Sequence, residues 1–253
     1  MNELITPELL NTGLKVLGLG IVTKALEGPI QTINDVWGLI GGDKLHAKRL
    51  ECQKKYAEAI VEKVAPIPPE KIVQPRLSIL GPAIEASKYY VEEAEIRELF
   101  ANLIAASINS DTEDKIPHSF VEIIKQLSPY DAKLFKSFVK GTYPYGSIRL
   151  NKKGDTTGYY LFQNYYVDEN FLDHEKNAIS LLNLQKQGLI LIDSSYTLTD
   201  KTLYSFLESS EFFKVHKIIY SSIDKYKDSE VVLKHGAFHI TELGKLFQKI
   251  CMK

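Results

Sequence analysis

The sequence predicts a mainly α protein: an N-terminal helical module over residues 1–140, a tyrosine-rich connection over 141–174, and a C-terminal α+β unit over 175–253. Three observations carry this expectation. Apolar residues between Ile72 and Val139 recur at helical spacing and are punctuated by helix start and stop signals. The composition turns to Tyr, Gly and turn residues directly after Gly141. The stretch "LILIDSSYTLT" alternates as a strand does.

Composition sets the bounds. The chain has 253 residues, 44% hydrophobic and 25% charged, with a formal net charge of -1. It is long enough for two packed units and ordinary for a globular protein. Near-neutral charge excludes a global attraction to nucleic acid and leaves only a local basic face to consider. Cys52 and Cys251 lie far apart without metal-ligand spacing and read as free thiols in a reducing compartment. No signal peptide is read, and the expected location is the cytoplasm.

Taking the elements in order, Leu9 to Gly42 is rich in Leu, Ile, Val and Gly. Charges at Lys15, Lys24, Glu27 and Asp35 interrupt it before the ~20 apolar residues that span a bilayer. The stripe Leu10, Leu14, Leu17, Ile21 and Ala25 is expected to pack in the fold or at a subunit interface, with insertion into a membrane surface as the alternative. Gly28-Pro29 breaks it, and a short helix carrying Ile30, Ile33, Val36 and Trp37 follows. A long charged amphipathic helix is expected from Asp43, its N-cap, to Val64, with Leu45, Leu50, Ala57, Ile60 and Val64 inward. Lys48, Arg49, Lys54 and Lys55 are read as its solvated face. Pro66, Pro68 and Pro69 then force an extended connector, and Pro75 and Pro82 are expected to prevent one continuous helix through Leu80.

From Glu92 to Ile108 the residues Ile96, Leu99, Phe100, Leu103, Ile104 and Ile108 define a core helix, with Glu93 and Arg97 paired on its outer face. A second helix starts at Pro117 and presents Phe120, Ile123, Ile124 and Leu127. Ser128 with Asp131 starts a third, carrying Leu134, Phe135, Phe138 and Val139 inward and stopping at Gly141. The tyrosines at 143, 145, 159, 160, 165 and 166 are read as half-buried packing residues.

After His174 an amphipathic helix on Ala178, Ile179, Leu181 and Leu182 ends at Gly188, and a strand follows. Further helices are placed at Lys201–Phe213 and His216–Tyr226. "EVVLKHGAFHITELGKLFQKIC" reads as a short strand, a turn at Gly236, a second strand, and a closing helix capped by Thr241. This order resembles a winged helix with a helical insertion. Leu181 to Gln187 is then the recognition helix, with Lys176, Asn183, Gln185 and Lys186 as the residues that would contact nucleic acid.

Sequences that carry chemistry are not found. No phosphate loop occurs. His235 and His239 are read on a turn and a strand and not as metal ligands, and no elbow surrounds a serine or cysteine nucleophile. His118, in the first turn of its helix, is read as a packing or interface residue.

The ordered set Ile67-Pro68, Pro75 and Pro82, then "RELFA" at Arg97–Ala101, then "HSFV" at His118–Val121 running into "IKQLS", resembles the abortive infection alpha (Abi-alpha) family. The resemblance is strong from Glu58 to Val139 and looser beyond. It implies a role in phage defence and supplies no catalytic residues. Pro75, Pro82, Arg97, Phe100, His118 and Phe120 are its motif residues, structural or interfacial. The expectation is therefore a protein that is not an enzyme, without cofactor or small-molecule substrate, acting through a protein partner or self-association. Nucleic-acid binding by the C-terminal unit is the alternative, and peripheral membrane contact through Leu9–Ile40 is the third reading.

Overall fold

The computed structural model describes residues 43–90 and 92–253. The expectations for Leu9–Gly42, the Asp43 cap and the side chains of Leu45, Lys48, Arg49 and Leu50 lie outside what it describes. The chain divides into two compact units: the described chain up to Ala132 together with Leu246–Lys253, and Lys133–Lys245.

The first unit is helical. It contains α1 (Asp43–Val64), α2 (Leu77–Tyr90), α3 (Ala94–Ile108) and α4 (Ser119–Gln126), and it takes the start of α5 (Pro129–Ser137). Helix α3 is its centre and packs against α1, α2 and α4. Its six striped residues, from Ile96 to Ile108, are all buried. Phe120 of α4 and Phe247 of the closing helix are fully buried with ring centroids 5.1 Å apart in an edge-on contact.

Helix α5 starts on the reciprocal cap read in the sequence: the Ser128 amide donates to Asp131 Oδ2 at 2.8 Å and the Asp131 amide to Ser128 Oγ at 3.1 Å. The proline passage lies against the end of α3. The Val73 amide donates to the Ile108 carbonyl at 2.8 Å, and the Ser110 amide to the Lys71 carbonyl at 2.9 Å. Pro82 does not stop α2, contrary to expectation. Its missing N–H orphans the Ser78 carbonyl, but both residues are exposed, so water can satisfy that acceptor.

The second unit corrects the fold class. The protein is α+β and not mainly α: a curled antiparallel sheet of four strands, in the order β2-β1-β4-β3, occupies it. The strands are β1 (Thr142–Lys152), β2 (Gly158–Tyr165), β3 (Ile190–Asp193) and β4 (Ser229–Ile240). The tyrosine-rich stretch thus supplies two strands. Ile148 pairs with Leu233 and Leu150 with Val231, which lines up apolar side chains on one face. Tyr204, Leu207 and Phe213 close over them.

Strand β4 also runs straight through Gly236, where a turn was expected. Gly236 pairs with Tyr145, and a Cβ there would stand 2.6 Å from the tyrosine ring, so the glycine serves close packing within a strand. The remaining helices are α6 (His174–Lys186), α7 (Ser205–Ser209), α8 (Glu211–Ser221) and α9 (Glu242–Cys251). Helix α6 packs on β2 and β3, and α8 on β4. Thr241 caps α9 as expected, its Oγ1 accepting from the Gly244 amide at 2.9 Å. Val139, placed inward by its periodicity, is 86% exposed because α5 ends at Ser137 and the stripe ends with it.

Candidate interaction surface

Helix α8 begins at Ser210, whose Oγ accepts from the Phe213 amide at 3.2 Å. That hydroxyl also bonds the Tyr165 phenol. The inner side of the helix is filled by aromatic contacts. Phe212 stacks on His174 with centroids 3.5 Å apart and meets Phe162 edge-on at 5.1 Å. His216 Nδ1 lies 2.8 Å from the Phe212 carbonyl. Burial against these rings lowers the His174 pKa from its ordinary value.

The opposite side of α8 shows no such ring contacts among the described residues. Val215, Ile218 and Ile219 follow helical spacing and all three are exposed, Ile218 by 66%. Leu203, Phe206 and Ile223 nearby in the chain are exposed as well. Lys214 lies beside the stripe, whereas Lys217 reaches over the buried Phe213 ring, its Nζ 5.6 Å from the ring centroid. A helix that buries one side and displays a second apolar stripe presents a surface suited to contact. The sequence reading missed it because the two helices placed at Lys201–Phe213 and His216–Tyr226 split Val215 from Ile218. The signal was present in Ser210, a cap residue ahead of "EFF".

The residues named for nucleic-acid contact are placed together on α6 but are largely engaged. Asp173 caps the helix, accepting from the Lys176 amide at 3.0 Å, and pairs with Lys176 Nζ at 3.1 Å. Gln185 Oε1 accepts from the Ile192 amide at 3.2 Å. Asn183 is half-buried, and Lys186 is exposed. Between the two lysines the outer side of α6 presents Ile179 and Leu182, both exposed.

The six motif residues of the first unit do not converge on one surface. Phe100 and Phe120 are fully buried, Pro75 is buried ahead of α2, and Pro82 is exposed within it. Arg97 is half-buried on α3, while His118 is exposed at the start of α4. Among the described residues no group of three or more His, Cys, Asp or Glu is arranged to hold a metal. His235 stacks on Tyr204 at 3.9 Å and its Nε2 lies 2.8 Å from Glu208 Oε1. Cys52 and Cys251 are both buried, and burial pushes the Cys251 thiol up. No helix among the described residues is long and apolar enough to cross a membrane.

Residues 48–251 match the family described as abortive infection alpha. The chain belongs to that family. The match takes in both units, from α1 to the last residue of α9, and gives the chain a context in abortive infection and phage defence. No curated protein and no solved structure matches it.

Proposed function

We propose that this abortive infection alpha protein serves phage defence without catalysing a reaction, by holding a protein partner on the outer face of α8. The observation that supports this reading is the exposed stripe Val215, Ile218 and Ile219 on a helix whose other side is already filled. Glu211 and Lys214, both exposed beside the stripe, favour a partner with an apolar centre and a rim of mixed charge.

The test is a phage challenge of cells expressing the full chain or Ile218→Asp. A charge on an exposed residue changes fold stability by no more than about 0.5 kcal/mol, while a charge at the centre of an apolar contact abolishes binding. The expected outcome is lost protection with an unchanged melting temperature. Full protection by Ile218→Asp overturns the proposal. Protection that survives Ile218→Asp but fails in Lys176→Glu/Lys186→Glu, together with salt-sensitive DNA binding, transfers the action to α6 and nucleic acid. Failure only on removing Leu9–Ile40, accompanied by liposome flotation of the intact chain, transfers it to a membrane surface.

A further inference from the structure

The two faces of the sheet differ around the middle of β1. Ile148 and Leu150, with Leu233 and Val231 opposite them, lie in the core under Tyr204, Leu207 and Phe213. Side chains alternate along a strand, so Ser147 and Arg149 of β1 and Val232 and Lys234 of β4 point to the other face. Tyr160 of β2 pairs with Arg149 and joins them there, and the guanidinium carbon lies over its ring, 5.0 Å from the centroid. Tyr160 is 44% exposed, and Arg149 and Lys234 are half-buried. The neighbouring position of β2 on that face is Gly158, which leaves one flank of the ring without a side chain.

The donors on this face are largely uncommitted. Arg149 uses Nη2 on the carbonyls of Thr156 at 3.4 Å and Gly158 at 3.2 Å. Its Nε is a buried donor without a partner, and its charge meets no carboxylate among the described residues. Lys234 and the Ser147 hydroxyl stand opposite one another across β1 and β4, and neither has an ion pair or a side-chain hydrogen bond among the described residues. Two acids border the face. Asp193, near Tyr145, accepts from Ser195 Oγ at 2.6 Å, and Glu230 stands at the other end, opposite Asn151. The middle of the face therefore carries two cations, a free hydroxyl and an exposed ring.

We infer that this face binds single-stranded nucleic acid, with Tyr160 as the stacking platform for a base and Arg149, Lys234 and Ser147 as the donors to backbone phosphate. Cations beside an exposed ring match the alternation of phosphate and base along a single strand. Neighbouring strands stand about 4.8 Å apart, so the donors on β1 and β4 lie within ~10 Å of the ring on β2, a span that a base and the adjacent phosphates cover. Small free ligands are held in concave sites that bury most of their surface, whereas an open sheet face suits a strand. A duplex keeps its base faces in its own stack and offers Tyr160 nothing to stack on. The face lies on the sheet, on elements other than α6 and α8, and does not depend on the partner contact proposed for α8.

The test uses the full chain and the fluorescence anisotropy of a labelled oligothymidylate of about ten nucleotides, within the ~4–16 that a single-strand-binding fold covers. With two phosphates neutralised, the logarithmic salt slope of binding is expected to be about −1.4, a roughly sevenfold loss between about 50 and 200 mM salt. Lys234→Gln is expected to halve that slope to about −0.7. Tyr160→Ala is expected to weaken binding about tenfold, while Tyr160→Phe keeps the ring and binds as the native chain does. Lys234→Gln keeps a side chain of similar reach, so its slope tests the site even where Tyr160→Ala lowers stability. Lys176→Glu/Lys186→Glu and Ile218→Asp are expected to leave binding unchanged, which separates this face from α6 and α8. Thymidine monophosphate or a duplex binding as tightly as the single strand, full binding by Tyr160→Ala, or an unchanged slope in Lys234→Gln each overturns the inference. So does the absence of a saturable change up to about 1 mM protein, tenfold past the weak end of non-specific binding.

Discussion

Gly236 shows how much one missing side chain organises in this sheet. Its flat backbone lets the Tyr145 ring lie across β4, and its carbonyl accepts from the Tyr204 hydroxyl at 2.9 Å. The same hydroxyl accepts from the Leu198 amide at 2.9 Å, so Tyr204 ties the insertion to the strand. Tyr145 is itself buried, which pushes its phenol up to about 12. Gly236→Ala would set a methyl 2.6 Å from that ring, and overpacking of this kind costs about 1–3 kcal/mol. Urea unfolding is expected to show that loss, and an unchanged midpoint would mean that Tyr145 moves aside freely. Asn177 makes the same point with a polar group. It is fully buried on α6, and its Nδ2 donates to the carbonyls of Tyr166 and Phe171, each at 2.8 Å. Asn177→Ala removes a donor from each of those carbonyls, of which that of Phe171 also accepts from the Asp168 amide at 3.2 Å, and is expected to cost about 1–3 kcal/mol in the same measurement. Hydrophobic periodicity cannot reveal such a residue, since asparagine in a helix reads as surface.

Elements with a single strong period were legible in the sequence, and elements shaped by their neighbours were not. The α3 stripe, the Ser128–Asp131 cap and the Thr241 cap follow from spacing within one turn or two, and all are present. The strands β1 and β2 were hidden for a physical reason. Pro144 and Gly146 break the alternation of β1, and register shifts between Gly146 and Arg149 displace it again. Pro144 is tolerated because pairing with β2 begins only at Gly146, so one side of the strand needs no donor there. The outer stripe of α8 was obscured in a different way, by a helix boundary expected between Val215 and Ile218, and the interior side of that helix is aromatic. That interior carries a pH dependence. Burial lowers the His174 pKa, while Asp173 and Glu175 raise it and His216 lowers it further. The folded state therefore prefers neutral His174. Its contribution is complete above the unfolded value of about 6.5 and is lost as pH falls below that value through the lower folded pKa. The α6–α8 contact should weaken accordingly between pH 7.5 and pH 5. Denaturation midpoints are expected to drop over this window in the native chain and to drop less in His174→Phe, which keeps an aromatic stack on Phe212. Identical pH profiles would show that His174 is not the titrating group.

At the scale of the whole molecule, the two units are not successive segments of chain. The first recruits Leu246–Lys253 from the far end of the sequence, past the whole of the second. Phe247 and Cys251 are fully buried and Ile250 nearly so, and Phe247 meets Phe120 within that core. Asn102 holds the Cys251 carbonyl in the same place. No local pattern between Ile72 and Val139 announces that an apolar stripe more than a hundred residues later completes the packing, which is why the helical module looked self-sufficient in sequence. The consequence is measurable. Removing a buried phenylalanine from a packed core costs about 3–5 kcal/mol, a large part of the 5–15 kcal/mol that stabilises an ordinary domain. Phe247→Ala should therefore unfold the first unit well before the second, giving a two-step thermal transition where the native chain is more nearly cooperative. A fragment ending at residue 140 lacks the whole closing segment and should expose the surface around Phe120, binding a hydrophobic dye and losing sharp amide NMR dispersion. A well-dispersed spectrum from that fragment would mean that the helices up to Ala132 close their core without α9, and would make the recruited segment an accessory to this unit.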